Sequence, residues 1–155
     1  SVRTRRLSRV YFTDRDLGKQ FPAILVEAGL KVERHHDLFP PDGPDEQWLG
    51  YCGANKRIEI THDQRIRHKL NEREAVMQYG VALLVIIGKA PYQELAKNFV
   101  ATLPKIESFL DKNEPPFIAK VLQADALRSR KESQLGRFCI PLVPDLAQSS
   151  VIPLR

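Results

Sequence analysis

Val10-Tyr11-Phe12-Thr13-Asp14-Arg15-Asp16-Leu17-Gly18 is the stretch that decides how this chain is read. Val, Tyr, Phe and Thr favour strands, and the helical spacing of apolar residues beyond them marks this segment as a central parallel strand. A parallel strand of an open α/β sheet delivers its last residue to the crevice at the carboxyl edge, where such folds bind ligands. Here that residue is Asp14, with a second carboxylate, Asp16, two positions on. A lone Asp at this place ordinarily caps the helix that follows. What the rest of the chain brings alongside it therefore carries the argument.

Leu17, Phe21, Ile24, Leu25 and Ala28 recur at helical spacing and Gly29 supplies a stop, while Pro22 makes the first turn start late or bend. A short strand is expected over 30–34, then His35-His36-Asp37 and a turn-rich Pro/Gly segment, then a helix over 45–54 carrying Trp48, Leu49 and Cys52. Residues 57–61 alternate as a strand ending at His62-Asp63, and Asn71 with Glu74 reads as a capping box for a helix reaching Tyr79. The continuous apolar run 81–87 is that of a strand buried on both faces. Leu95, Phe99, Leu103, Ile106, Phe109 and Leu110 share one helical face, which Pro104 is expected to kink or split. Residues 117–122 close the series. The order βαβαβαβαβ predicts a three-layer α/β/α sandwich with a central parallel sheet.

The organisation expected is a basic extension over 1–9, one domain over 10–122, and a loosely held tail over 123–155 whose prolines fit no further packed element. The net charge of +5 belongs to the ends: four arginines and no acid in 1–9, a net +2 in 123–155, and 15 Lys+Arg against 16 Asp+Glu in between. Whole-chain basicity is therefore weak support for a polyanionic partner. The longest apolar run is too short to cross a bilayer. Two widely spaced cysteines, Cys52 and Cys139, with no metal-binding spacing, fit reduced thiols in a cytoplasmic protein.

Three aspartates fall at comparable places: Asp14 after the first strand, Asp45 at the second helix, and Asp63 after the third strand. If the first and third strands are neighbours, the three carboxylates meet in one crevice, and their repulsion then calls for a hard cation such as Mg²⁺ or Mn²⁺. Each also has a plainer role. Asp45 serves as the partner of an Asp42 cap, and Asp63 as a turn residue. Tyr11 and Trp48 read as core, and His35-His36 as structural or exposed.

Residues 11–18, 39–48, 60–67 and 116–121 together resemble the PIN-domain proteins, in particular the VapC-like toxin branch, over about residues 10–122. The resemblance implies a PIN-like fold and a Mg²⁺- or Mn²⁺-dependent ribonuclease that acts on RNA and is held inactive by a cognate antitoxin. A homodimer is compatible with it, and a membrane role is not implied. Carried over by position, Asp14, Asp45 and Asp63 are the metal and catalytic acids, and Thr61 is the hydroxyl beside the third. Gln64 and Arg65 stand where many PIN enzymes have a fourth acid, leaving Asp16 or Glu46 as substitutes. Arg65, Arg67 and Lys69 follow as candidate contacts to RNA phosphates, against the alternative of a solvated loop. Two other functions stay open: a haloacid-dehalogenase-like phosphatase with Asp14 as nucleophile, although Gly18 stands where that family has Thr, and a PIN fold that binds without cutting.

Overall fold

The computed structural model describes residues 9–62, 70–122 and 138–141. Strands β1 (Val10–Thr13), β2 (Lys31–Arg34), β3 (Ile58–Thr61), β4 (Ala82–Ile87), β5 (Phe117–Leu122) and β6 (Phe138–Pro141) form one sheet in the order β2-β1-β3-β4-β5-β6. The first five are parallel and β6 runs antiparallel against β5. β1 is bonded to β2 on one side and to β3 on the other, so the chain reverses its direction of travel across the sheet at β1/β3. That is the switch point the acidic residues require.

Side chains alternate along each strand and build two cores. Tyr11, Ile58, Ile60, Leu84, Ile86 and Ala119 point to the layer made by α1 (Gln20–Glu27) and α5 (Tyr92–Lys112), with Phe21, Leu25, Leu95 and Phe99. Phe12, Leu83, Val85 and Ile118 point to the opposite layer of α3 (Asp45–Ala54) and α4 (Leu70–Tyr79), with Trp48, Leu49, Cys52 and Val76. Because β4 is covered on both sides, every residue from Ala82 to Ile86 is buried, which explains its unbroken apolar sequence. Tyr11 and Trp48 are core residues, as their type and spacing predict.

Several local expectations need correction. Asn71 lies inside α4, which begins at or before Leu70, so it is not the cap of that helix. α5 runs through Pro104 unsplit. Pro104 is exposed, so water can meet the Val100 carbonyl it leaves without a donor. Pro22 falls in the first turn of α1, where a missing N–H costs nothing, and the helix does start late, after a 3-10 turn at Arg15–Leu17. His35–Leu38 forms a short helix, α2, ahead of the turn-rich Pro/Gly segment, where the sequence pattern predicts no element. His35 is buried against Phe12, Phe39 and Trp48, while His36 is exposed. α3 is capped by Pro44 without a side-chain bond, so Asp42 is not its cap.

At the chain ends, Phe138–Pro141 supplies an edge strand inside the segment expected to be a tail. Arg9, the last residue of the basic extension, pairs with Asp111 of α5 at 2.6 Å and so belongs to the domain. Arg3, Arg5 and Arg6, and the rest of 123–155, lie outside the described residues.

Layer spacing between α3 and α4 is set by Gly53. A Cβ there would fall inside van der Waals distance of the Tyr79 carbonyl, whereas one at Gly50 would meet only the Tyr79 ring at 3.7 Å. Ala is the better helix former by about 1 kcal/mol, so Gly50→Ala is expected to be neutral or stabilising in urea unfolding. Gly53→Ala is expected to destabilise by roughly 1–3 kcal/mol through overpacking. Equal behaviour of the two variants would show that this contact does not set the spacing.

Candidate active site

β1 ends at Thr13, and the Asp14 backbone N–H donates to the Ile60 carbonyl at 3.0 Å, which continues the β1/β3 pairing one residue past the strand. This ties Asp14 to the end of β3. Its carboxylate has two partners. Oδ1 accepts the Arg15 backbone N–H at 2.7 Å, capping the 3-10 turn, and Oδ2 accepts the Thr61 hydroxyl at 3.1 Å. The capping role expected of an isolated Asp is thus realised by one oxygen while the other faces β3.

Asp16 joins the same hydroxyl. Thr61 Oγ1 lies 3.2 Å from Asp16 Oδ2, and the His62 backbone N–H donates to that oxygen at 3.1 Å. A hydroxyl carries a single proton, so Thr61 donates to one carboxylate at a time and holds both in place. The 3-10 turn is what folds Asp16 back: Gly18 ends it with φ 69° and ψ −152°, a conformation open essentially to glycine alone. His62 is held in turn by its ring Nε2, 2.8 Å from the Gly88 carbonyl beyond β4.

Burial raises the Asp14 carboxyl to about 7, reinforced by the Asp16 carboxylate and opposed by the Arg15 N–H, the Thr61 hydroxyl and the Arg15 charge. A buried acid held beside another carboxylate is a site short of positive charge. Hard oxygen donors with that deficit suit a hard divalent cation. Asp14 and Asp16 therefore fit such an ion as two of its ligands. Among the described residues no group of three or more potential ligands forms.

Of the residues singled out in the sequence, the structure brings together Asp14, Asp16 and Thr61. Asp45 is the first residue of α3, and its side chain lies outside what is described. Asp63, Gln64, Arg65, Arg67, His68 and Lys69 also lie outside the described residues. Glu46 is exposed on α3, so Asp16 is the better candidate for a supplementary acid. His62 had no part in the sequence reading. Its adjacency to Asp63 was the available signal, but its role depends on a backbone N–H that residue type does not reveal.

The architecture defines an α/β domain whose switch point carries an acidic pair, Asp14 buried and Asp16 partly so. A family model described as "PIN like domain" matches residues 10–88, from β1 to the residue after β4, and the chain belongs to that family. This membership points to a nuclease-type function and sets aside the haloacid-dehalogenase-like alternative. No curated protein and no solved structure matches the chain. Among the described residues no helix is long and apolar enough to cross a membrane.

The raised Asp14 pKa has a defined signature in the metal-free protein. Its folded value of about 7 exceeds the reference 3.8, so between those values the folded state binds more protons than the unfolded one. Its contribution to stability is therefore present below about pH 4 and is lost as pH rises through about 7, with a slope approaching roughly 1.4 kcal/mol per pH unit. Asp14→Asn should flatten that slope in EDTA. Urea unfolding of both proteins from pH 5 to 8 checks this, and parallel profiles would remove Asp14 as the source.

Proposed function

We propose that this chain is a Mg²⁺- or Mn²⁺-dependent endoribonuclease that hydrolyses RNA phosphodiester bonds. The observation that carries the proposal is the convergence of Asp14 and Asp16 on the Thr61 hydroxyl at the switch point of a PIN-like domain. Asp14 and Asp16 would hold the ion, and Asp45 and Asp63 join them by motif position. Such an ion, when bound, supplies the positive charge that screens a phosphodiester and acidifies water. Thr61 and the His62 N–H fix the directions of the two carboxylates, so little reorganisation remains when substrate arrives. Arg65, Arg67 and Lys69, adjoining Asp63 in sequence, are the proposed contacts to the RNA backbone. A toxin role, with a cognate antitoxin as partner and a homodimer as one compatible assembly, rests on the motif resemblance of residues 11–18, 39–48, 60–67 and 116–121.

The test is cleavage of mixed cellular RNA with Mg²⁺, Mn²⁺ or EDTA, followed by end-mapping. Cutting should require the divalent ion. Asp14→Asn should abolish most of it, Asp16→Asn should lower it, and Glu46→Gln should leave it near the parental rate. Mn²⁺ should raise the melting temperature of the parent, by about 2.7 kcal/mol of stabilisation at a hundredfold excess over Kd, and should do little for Asp14→Asn. An Asp14→Asn protein that cuts at the parental rate would overturn the assignment.

The backbone contacts have their own readout. Changing Arg65 and Arg67 together to Gln should weaken RNA binding and reduce its salt dependence by roughly one to two counterions. An unaltered salt slope returns these residues to a solvated loop.

A further inference from the structure

The aromatic residues of this domain range from fully buried to exposed. Tyr11, Phe12, Phe21, Phe99 and Trp48 are at most 2% exposed, whereas Tyr92 is 36% exposed and belongs to neither core. Tyr92 opens α5, in the connection that follows the carboxyl end of β4, so it stands at the same sheet edge as the acidic pair. Its ring is nonetheless held in place. It meets the His62 imidazole edge-on, with centroids 5.8 Å apart and planes at 84°. It also lies over Gly18, where a Cβ would sit 3.6 Å and 3.7 Å from ring atoms Cδ2 and Cε2.

Both supports lead back to Asp16. His62 donates its backbone N–H to the Asp16 carboxylate and is anchored through its ring at the Gly88 carbonyl. Gly18 ends the turn that contains Asp16. Tyr92 is thus a braced, part-exposed ring linked by two short paths to one of the proposed ion ligands. Exposed Arg15, Lys19 and Lys89 belong to the same loops.

A half-exposed Tyr is common on surfaces, and exposure by itself carries nothing. The bracing distinguishes this one. A ring fixed in advance loses little conformational freedom on contact, and every nucleobase offers a face to stack on it. Carboxylates alone repel a phosphodiester, so a substrate needs attraction from outside the acidic pair, and an aromatic face among cations supplies it. A paired base is stacked within its helix and cannot use such a ring.

We propose that Tyr92, braced by His62 and Gly18, is the stacking platform for one unpaired nucleobase next to the scissile phosphate. This inference rests on the nuclease reading above and adds the residue that receives the base.

Fluorescence anisotropy of labelled single-stranded RNA, measured with Ca²⁺ in place of Mn²⁺ and with the RNA verified intact on a gel, tests it. Tyr92→Ala should raise Kd by about 5-fold to over 100-fold, the range found for losing one stacked base. Tyr92→Phe should stay near the parent. Tyr92→Leu, which keeps apolar bulk against Gly18 and His62, should lose affinity as Ala does while retaining the parental melting temperature. The salt slope should be unchanged in all three. A strand of equal length made abasic throughout should bind parent and Tyr92→Ala alike. Parental affinity in Tyr92→Ala, or an equal loss on the abasic strand, would overturn the platform while leaving the nuclease reading standing. A parent that neither binds nor cuts RNA would overturn the nuclease reading, and the platform with it.

Discussion

The pairing of β1 on both of its edges is the constraint on which the rest of this molecule depends. Tyr11, Phe12 and Thr13 each face a residue of β2 on one side and of β3 on the other. The strand is also covered above and below, by Phe99 against Tyr11 and by Trp48 stacked on Phe12. A strand held in this way cannot slip by one residue without turning Tyr11 and Phe12 into the wrong layers. Its end is therefore fixed to the register of β3, and the residue after it can be aimed. Asp14 inherits that precision through its N–H bond to Ile60.

What the fold aims is an unfavourable group. Bringing Asp14 to 8% exposure beside Asp16 works against charge separation and solvation together. The Arg15 and His62 N–H groups and the shared Thr61 hydroxyl offset part of this, and the raised pKa of the Asp14 carboxyl reflects what remains. A domain meant only to be stable would replace the pair with apolar residues. Here the cost is retained at the one place in an open α/β sheet where ligands bind, so strain and site coincide.

Much of this was legible in the sequence because the relevant signals are local. The apolar run of β4, the alternation of β3 and the termini of α3 each follow from residue type within a few positions. Asp14 followed from being the terminal residue of β1, whereas the place of β1 at the switch point stayed conditional on its pairing with β3, which element order alone does not give. Other features depend on partners far along the chain. That Asp16 meets Thr61 requires a 3-10 turn ended by Gly18, which looked only like a departure from another family's motif. Pro104 looked like a break because sequence does not say which face of α5 meets water. β6 was missed because its short, proline-ended segment acquires meaning only from the open edge of β5. Asn71 mimicked a cap because Ser-, Asn- and Asp-type caps are recognised by spacing alone.

Cys52 gives the buried α3 layer an observable of its own. It lies on α3 fully enclosed, 3.7 Å from Glu59 of β3, and burial together with that carboxylate drives its thiol pKa far upward. Thiolate is the reactive form, so an alkylating reagent meets an inert sulfur while the helix stays docked. Modification at this position consequently counts the moments when α3 lifts from the sheet. One sulfur atom thus serves as a clock for how often the α3 layer comes away from the sheet.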